Sequence, residues 1–338
     1  TPPDDFHDAC LGTARDWPQR MLATSTHDTK RSEDVRARVS LLSEMPGEWA
    51  AWCERWSAHN ERYRRHGRPD RNAEWLLYQT LFGAWPIGTE RAVAYMDKAS
   101  REANVHTSWV DPVAEYDDAV RGFVTSVLAD DAFVGDLDAS VARLQRPGWI
   151  NSLAQKLVTL TAPGVADLYQ GSELWDLSLV DPDNRRPVDF SLRRRLLAET
   201  RAADAASVWA AEDGTGLAKL LVVTTALHLR TAHPDWFGLD GAGGYGPLDA
   251  VGEAARHAVA FVRGGSAITI VPRLPLGLER RGGWGDTTMT LPPGSWWNHL
   301  GDPDTAWTGA VRLGDLLAGF PVALLGKESP ADMGRPRP

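Results

Sequence analysis

The sequence lacks the features that mark disulfide-rich, metal-binding or membrane-spanning proteins. Its 338 residues include only two cysteines, Cys10 and Cys53, which form neither a disulfide framework nor a metal-binding motif. No apolar run approaches the roughly 20 residues that a membrane-spanning helix needs, and no signal peptide is visible at the first residue. These absences predict no metal site, no membrane partner and a reducing, cytoplasmic setting.

Positive charge is also scarce, since 45 acidic residues outnumber 36 basic ones and give a net charge of -9. Nucleic acids and anionic membranes need a basic face, so the charge balance argues against both as partners. Hydrophobic residues (43%) and charged residues (24%) occur in the proportions usual for globular proteins. The length of 338 residues is sufficient for two domains or for one large domain.

Tryptophan, by contrast, is frequent: 15 Trp stand against 8 Phe and 6 Tyr. Indole rings can stack on the apolar faces of sugar rings, but they also anchor helix packing. Trp49, Trp52 and Trp56 lie three and four residues apart, which predicts one buried stripe on a helix. We therefore expect most of the tryptophans to pack in the core.

Helical patterns dominate the first two thirds of the chain. Residues 20–25 are predicted to form a short buried strand, after which Ser32 can cap a helix that Pro46-Gly47 is expected to break. A second short strand is predicted at residues 164–169. The other predicted helices are a short one near Asp5–Arg15, then Glu48–His66, one around Trp75–Leu81, Pro86–Ala99, Pro112–Asp130, Ala132–Leu144, Trp149–Thr161, Ser191–Ala203 and Leu217–Thr231.

From residue 258 onward the hydrophobic pattern has a period of two, after a Gly-rich segment at 238–257 that is predicted to be a loop. Short strands separated by Gly and Pro turns are typical of an antiparallel sandwich. We place a domain boundary near residue 237. The predicted strands are Ala258–Arg263, Ala267–Val271, Thr287–Leu291, Val311–Leu313 and Val322–Leu325.

A His-Asp pair follows the first predicted strand, and two cations come directly after it. In a barrel enzyme, the carboxyl end of a strand is where catalytic residues lie. Asp28 could stabilise the oxocarbenium-like transition state of glycosyl transfer, and His27 could donate to a sugar hydroxyl. Lys30 and Arg31 could keep that carboxylate ionised. Alternatively, Asp28 caps the following helix or pairs with Arg31, and spacing alone leaves both interpretations open.

Two longer motifs resolve this ambiguity by resemblance. Residues 24–36 read TSTHDTKRSEDVR, and residues 163–189 read PGVADLYQGSELWDLSLVDPDNRRPVD. Together, and in this order, they resemble the maltooligosyl trehalose synthases, a branch of the α-amylase superfamily. The resemblance continues through Gly244–Leu248 and His257–Arg263 into Val322–Leu325, and covers the chain from about residue 20.

The resemblance implies a cofactor-free intramolecular transglycosylation. The reducing-end α-1,4 bond of a maltooligosaccharide, the implied substrate, becomes the α,α-1,1 bond of a trehalose unit. The implied fold is α plus β: the C-terminal part of a (β/α)8 barrel with a large helical insertion, followed by an antiparallel β-sandwich domain. It divides the chain into the end of the barrel region (1–31), the insertion (32–162), the last barrel strand with substrate loop and helices (163–237), and the β domain (238–338). The oligomeric state stays open, with a monomer as the working expectation.

The resemblance also assigns roles to individual residues. Asp28 matches the third catalytic carboxylate, the transition-state stabiliser, and His27 matches a histidine that binds the glucose ring where the bond breaks. For the loop at 181–186, ion pairs that only stabilise a turn are an equally good interpretation. The predicted substrate-binding residues are His27, Lys30, Arg31, Tyr169, Gln170, Glu173, Asp183, Asn184, Arg185 and Arg186.

Two further carboxylates are needed for retaining glycosyl transfer, a nucleophile and an acid/base. In the resembling family both precede the His-Asp motif, and no residue before Met21 has a suitable strand context. We therefore expect a C-terminal portion of the enzyme that is inactive alone, with residues 1–32 poorly packed or differently placed. The alternatives are a non-catalytic carbohydrate-binding or structural module and an amylase-type glycoside hydrolase.

Overall fold

The computed structural model describes residues 2–200, 204–238 and 243–330. Two compact units emerge, each assembled from segments that are separated in sequence. One unit, here the sheet unit, contains the described residues of Thr1–Thr26, Trp149–Asp176 and Pro187–Pro338; the other, the helical unit, contains His27–Gly148 and Leu177–Arg186. The fold is thus α plus β in content, and the predicted division into four segments stays a prediction.

The described residues form helices and short strands in the following order. The helices are α1 Pro3–Asp16, α2 Glu33–Ser40, α3 Pro46–Asn60, α4 Arg71–Ala84, α5 Thr89–Ala103, α6 Ala114–Leu128, α7 Asp131–Thr161, α8 Phe190–Thr200, α9 Ala205–Ala210, α10 Leu217–Ala232, α11 Pro275–Arg280 and α12 Leu313–Leu316. The strands are β1 Met21–Leu22, β2 Val165–Ala166, β3 Tyr245–Leu248, β4 Ala250–Val251, β5 Ala258–Arg263, β6 Ala267–Pro272, β7 Thr288–Thr290, β8 Trp296–Asn298, β9 Ala306–Trp307, β10 Ala310–Arg312 and β11 Ala323–Gly326.

The core of the helical unit is aromatic. Trp56 is 2% exposed, and its ring centroid lies 5.5 Å from that of Tyr78 and 5.6 Å from that of Phe133. Trp49 and Trp52 pack beside it, at 6.0 and 5.9 Å. The helical spacing of these tryptophans therefore correctly indicated core packing rather than sugar contact.

Two prolines in helical segments have different outcomes. The predicted break at Pro46 is confirmed, because the helical stretch after Ser32 ends at Glu44 and Pro46 opens α3, where a first-turn residue needs no intrahelical N–H donor. Pro147 lies inside α7, which continues for 31 residues where two helices were predicted. The missing hydrogen bond costs roughly 3 kcal/mol, and the residues that follow offset it by burying Leu153, Leu157 and Leu160 completely.

The described residues of the sheet unit form two antiparallel sheets, with strand orders β3-β5-β6-β11-β8-β9 and β10-β7-β4. The central pair β5 and β6 is in register from Ala258 opposite Pro272 to Arg263 opposite Ala267. Both sheets contribute side chains to one buried cluster, among them Ile268, Met289 and Leu325. The two-residue strands β1 and β2 form a separate parallel pair.

Two further expectations need correction. Residues 1–32 are not poorly packed as a whole, because α1 packs on β3: His7 Nδ1 lies 2.7 Å from the Tyr245 hydroxyl, and Phe6 contacts Phe261. The segment 238–257 is not all loop, since β3 and β4 lie in it, although its residues 239–242 fall outside the described ranges. The short helix α9 was not predicted, and the predicted helix end at Ala203 also lies outside the described residues.

Among the helices of the described ranges, none is long and apolar enough to cross a membrane.

Candidate functional site

The His-Asp pair lies in a turn of the helical unit, and four residues separate it from the end of β1 in the sequence. His27 Nε2 is 3.1 Å from Asp28 Oδ2, and the two side chains are 57% and 83% exposed. The backbone carbonyl of His27 accepts a hydrogen bond of 2.9 Å from Asn184 Nδ2. The chain around the pair is therefore held in place, while the Asp28 carboxylate itself is open to solvent.

The two cations after the pair are attached to other elements. Lys30 Nζ makes an ion pair of 2.6 Å with Glu102 at the end of α5. Arg31 donates to Gln79 Oε1 at 2.5 Å and to Thr80 Oγ1 at 3.1 Å on α4. Neither cation makes an ion pair with Asp28, so the structure gives no support to a Lys30 or Arg31 partner for that carboxylate.

Asp183 is the best-anchored residue of the 181–186 loop. Arg91 of α5 binds it in bidentate fashion, Nε to Oδ1 and Nη2 to Oδ2, both at 2.8 Å. The Leu179 amide donates to Oδ2 at 2.7 Å. Burial by itself raises the pKa of Asp183. The hydrogen bonds from Arg91 and the Leu179 amide, and the charges of Arg91 and Arg186, lower it by more. The net effect is a pKa below the ordinary value of an aspartate.

The remaining loop residues complete the same network. Arg185 Nε pairs with Asp181 at 2.5 Å. Arg186 donates to the Asp183 carbonyl at 2.9 Å and to Ser178 Oγ at 3.0 Å. These contacts are those of the turn-stabilising interpretation, and direct contact of the loop with substrate stays a prediction. A cavity of about 290 Å³ lies between this loop and α5, lined in part by Tyr95 and Lys98.

The third group of predicted residues lies in the sheet unit, in the turn after β2. Gly171 has a φ of +88°, a conformation that favours glycine. Arg193 of α8 holds this turn by donating 2.7 Å to the Gly171 carbonyl and 2.6 Å to Glu173 Oε1. Tyr169 is half-buried and Gln170 is exposed.

Two buried lysines donate hydrogen bonds to residues of the same turn. Lys156 of α7 is 1% exposed and donates to Ser172 Oγ at 3.4 Å. Lys219 of α10 is fully buried and donates to the Leu174 carbonyl at 3.1 Å. A buried ammonium is costly unless it is hydrogen-bonded. Lys219 therefore holds the backbone at Leu174, and Lys156 contacts the side chain of Ser172.

Within the helical unit, the structure brings together the His27–Asp28 turn and the 181–186 loop; Tyr169, Gln170 and Glu173 belong to the sheet unit. The sequence did not reveal three supporting residues: Arg91, Glu102 and Arg193. Each is a charged helix residue far from its partner in sequence, and no local pattern distinguishes it from a solvated helix face. Across the described ranges, no group of three or more His, Cys, Asp or Glu side chains is arranged to hold a metal ion.

Comparisons with known proteins agree with the motifs. No family model matches the chain. Proteins from two strains of Mycobacterium tuberculosis, which carry the provisional name maltooligosyl trehalose synthase, are 41% identical over 333 residues, covering 96% of this chain and 40% of theirs. Among solved structures, maltooligosyltrehalose synthase from Arthrobacter ramosus has a TM-score of 0.86 at 40% identity, over 96% of this chain and 40% of that one.

A glycosyltrehalose synthase structure is also similar, with a TM-score of 0.77 and 30% identity over 96% of this chain and 40% of that chain. The resemblance seen in the two motifs is thereby confirmed along nearly the whole sequence. This chain spans 40% of the length of the curated relatives that it matches.

Proposed function

We propose that this chain is part of an enzyme that converts the reducing-end α-1,4 bond of a maltooligosaccharide into the α,α-1,1 bond of a trehalose unit. The observation that carries the proposal is the 40% identity and TM-score of 0.86 to a maltooligosyltrehalose synthase over 96% of the chain. The reaction is an intramolecular glucosyl transfer, which makes the whole enzyme an isomerase acting on α-1,4-glucans. No cofactor enters this chemistry.

In this reaction Asp28 is assigned the role of transition-state stabiliser. Glycosyl transfer develops positive charge on the sugar ring, and a nearby ionised carboxylate favours that charge. The contact of 3.1 Å with His27 and the anchored backbone at Asn184 support a fixed position for the carboxylate. The nucleophile and the acid/base are assigned to the part of the protein outside this sequence, so the 338-residue chain alone is expected to be inactive.

The barrel and sandwich assignments belong to the same proposal. The parallel pairing of β1 with β2 supports their assignment as neighbouring strands of a parallel barrel. The buried cluster that both antiparallel sheets share supports a sandwich. On this assignment, Tyr169, Gln170 and Glu173 follow the last barrel strand, where substrate-binding residues are expected.

The test measures products formed by the full-length protein from maltopentaose. Conversion to a trehalose end removes the reducing end, so reducing sugar should fall while total glucose stays constant. An Asp28→Asn variant should lose at least about a hundredfold in kcat, because it removes one charge that acts in the transition state. The substrate KM should change much less.

Asp111→Asn is the matched control, because Asp111 is also an exposed carboxylate of the helical unit and its side chain has no partner in the described ranges. It should retain the parent rate. A rise in reducing sugar would instead favour the hydrolase, and an Asp28→Asn enzyme with parent activity would refute the assigned role.

A further inference from the structure

A second cavity, of about 210 Å³, lies wholly within the sheet unit. It is bounded by the start of α9, the connection from β8 to β9, and α12. Pockets for drug-sized ligands measure roughly 300–1,000 Å³, so this cavity suits a smaller ligand, about the size of one sugar ring. None of its lining residues is among the candidate site residues described above.

The apolar part of the lining is aromatic. Trp307 is partly buried, packs against the cluster shared by the two sheets, and lines the cavity. Leu300, Leu316 and Phe320 line the cavity as well and are almost fully buried. An indole ring fixed in this way offers an apolar surface of the kind on which the C–H face of a sugar ring can stack.

A buried amide supplies the cavity with a hydrogen-bond donor. Asn298 is only 3% exposed, and its Oδ1 accepts from the amides of Leu300, at 3.0 Å, and Leu324, at 3.3 Å. These two bonds fix the orientation of the amide group. Its Nδ2 has no acceptor among the residues that the structure describes, although Asn298 lines the cavity. Nδ2 is not among the fully buried unpaired atoms, so solvent reaches it through the cavity. A ligand that fills the cavity excludes that solvent and must accept a hydrogen bond from Nδ2, because a buried donor without an acceptor is costly.

Three carboxylates supply acceptors. Asp302 accepts from the Asp304 amide and from Thr305 Oγ1, and Asp204 accepts from Ser207; both carboxylates keep unused lone pairs. Asp315 is exposed, and its side chain has no partner in the described part of the chain. None of the described residues that line the cavity is a lysine or an arginine, and its three carboxylates repel an anionic ligand.

The ligand must therefore both donate and accept. An ammonium group would suit the carboxylates and the indole, but it carries only donors and would leave Asn298 Nδ2 unsatisfied. A hydroxyl group does both. We propose that this cavity binds one neutral hexose unit of an α-glucan chain, with Trp307 under the ring, carboxylates accepting from its hydroxyls and Asn298 donating to one of them. Only the choice of an α-glucan rests on the proposed function.

The test uses the full 338-residue chain labelled with 5-fluorotryptophan and titrated with millimolar maltotriose. The fluorine resonance of Trp307 is assigned by its loss in a Trp307→Phe variant. It should shift saturably, while the resonance of Trp109, an exposed tryptophan of the helical unit, should stay unchanged. Glycerol at the same concentration is the polyol control and should leave Trp307 unmoved.

Asp315→Ala should weaken maltotriose binding about tenfold, because it removes an ionised acceptor from an exposed position that folding does not need. Asp304→Ala removes a carboxylate from the β8–β9 connection that does not line the cavity, and it should bind like the parent. An unmoved Trp307 resonance, equal binding by Asp315→Ala and the parent, or an equal shift with glycerol would overturn the proposal. The product assay with Asp28→Asn reads neither Trp307 nor Asp315, so a failure here is distinguishable from a failure of the proposed function.

Discussion

Removal of the Arg91 side chain tests whether the 181–186 loop is built on a half-buried ion pair. Arg91 makes two contacts of 2.8 Å with the Asp183 carboxylate and donates to the Leu177 carbonyl at 3.0 Å. The Arg91 and Asp183 side chains are 25% and 15% exposed. Loss of one partner from a fully buried pair costs about 3–5 kcal/mol, whereas exposed pairs contribute about 0–1 kcal/mol. For this intermediate pair, we expect Arg91→Ala to cost about 2–3 kcal/mol.

The same pair predicts a pH dependence of known sign. Because the folded-state pKa of Asp183 lies below its ordinary value, its stabilisation is fully present above that ordinary value and is lost as the pH falls through the folded pKa. In Arg91→Ala, only the Leu179 amide and the charge of Arg186 still counteract the pKa-raising effect of burial on Asp183. The pKa of Asp183 should therefore rise in this variant. The stability difference between the parent and Arg91→Ala should therefore shrink as the pH falls below about 4.

The stability difference is measured locally by hydrogen exchange of the amides at residues 177–186. Urea unfolding at pH 7 and below measures the accompanying change in the whole chain. A local probe is needed because a chain with two compact units need not unfold in one transition. Arg55→Ala is the matched control: it makes the same charge change in the same unit, but in a pair with Asp136 whose side chains are 50% and 39% exposed. Equal losses in the two variants, or a difference that grows on acidification, would refute the reasoning.

Three further predictions concern single positions. Gly171→Ala should lower stability by about 1–2 kcal/mol, because the φ of Gly171 is +88°. Gly135→Ala lies within α7, where an added Cβ meets no atom within 4 Å, and should raise stability by about 0.5–1 kcal/mol. Thermal unfolding should therefore show a lower Tm for the first variant and a higher Tm for the second. Burial and nearby acidic residues raise the pKa of Cys53 to about 12, so a disulfide reagent at pH 8 should label it only after unfolding, and rapid labelling of the folded chain would contradict this. Burial lowers the pKa of His299 to about 4, so stability should fall as the pH drops from 6.5 toward 4, by up to about 3 kcal/mol, and His299→Gln should flatten that part of the profile.

Local signals in the sequence predicted the elements that depend on near neighbours. Ser32 precedes α2 as its N-cap residue, as its position before the acidic first turn predicted. The period-two pattern placed β5 and β6 within a residue of their observed bounds. The motif around His27 and Asp28, together with the motif at residues 163–189, suggested the relatives that the comparisons then found.

Contacts between distant segments could not be predicted in the same way. Arg91 lies 92 residues from Asp183, and Lys30 lies 72 residues from Glu102. Each of these side chains would be equally plausible on a solvated helix face, because an ion pair leaves no periodic trace in sequence. Pro147 shows the converse, since a strong local signal for a helix end was overridden by packing of the residues that follow it.

The exposure of Asp28 has a consequence for the proposed chemistry. A carboxylate that is 83% exposed interacts with a developing charge mainly through water, where a unit charge at 4 Å is worth only about 1 kcal/mol. The same geometry at an effective dielectric constant near 20 is worth about 4 kcal/mol, which is the scale on which preorganised groups contribute to catalysis. Asp28 can therefore act as proposed only when substrate and further protein surface exclude water from it. Activity should then depend on the completeness of the protein around this turn as much as on the carboxylate itself.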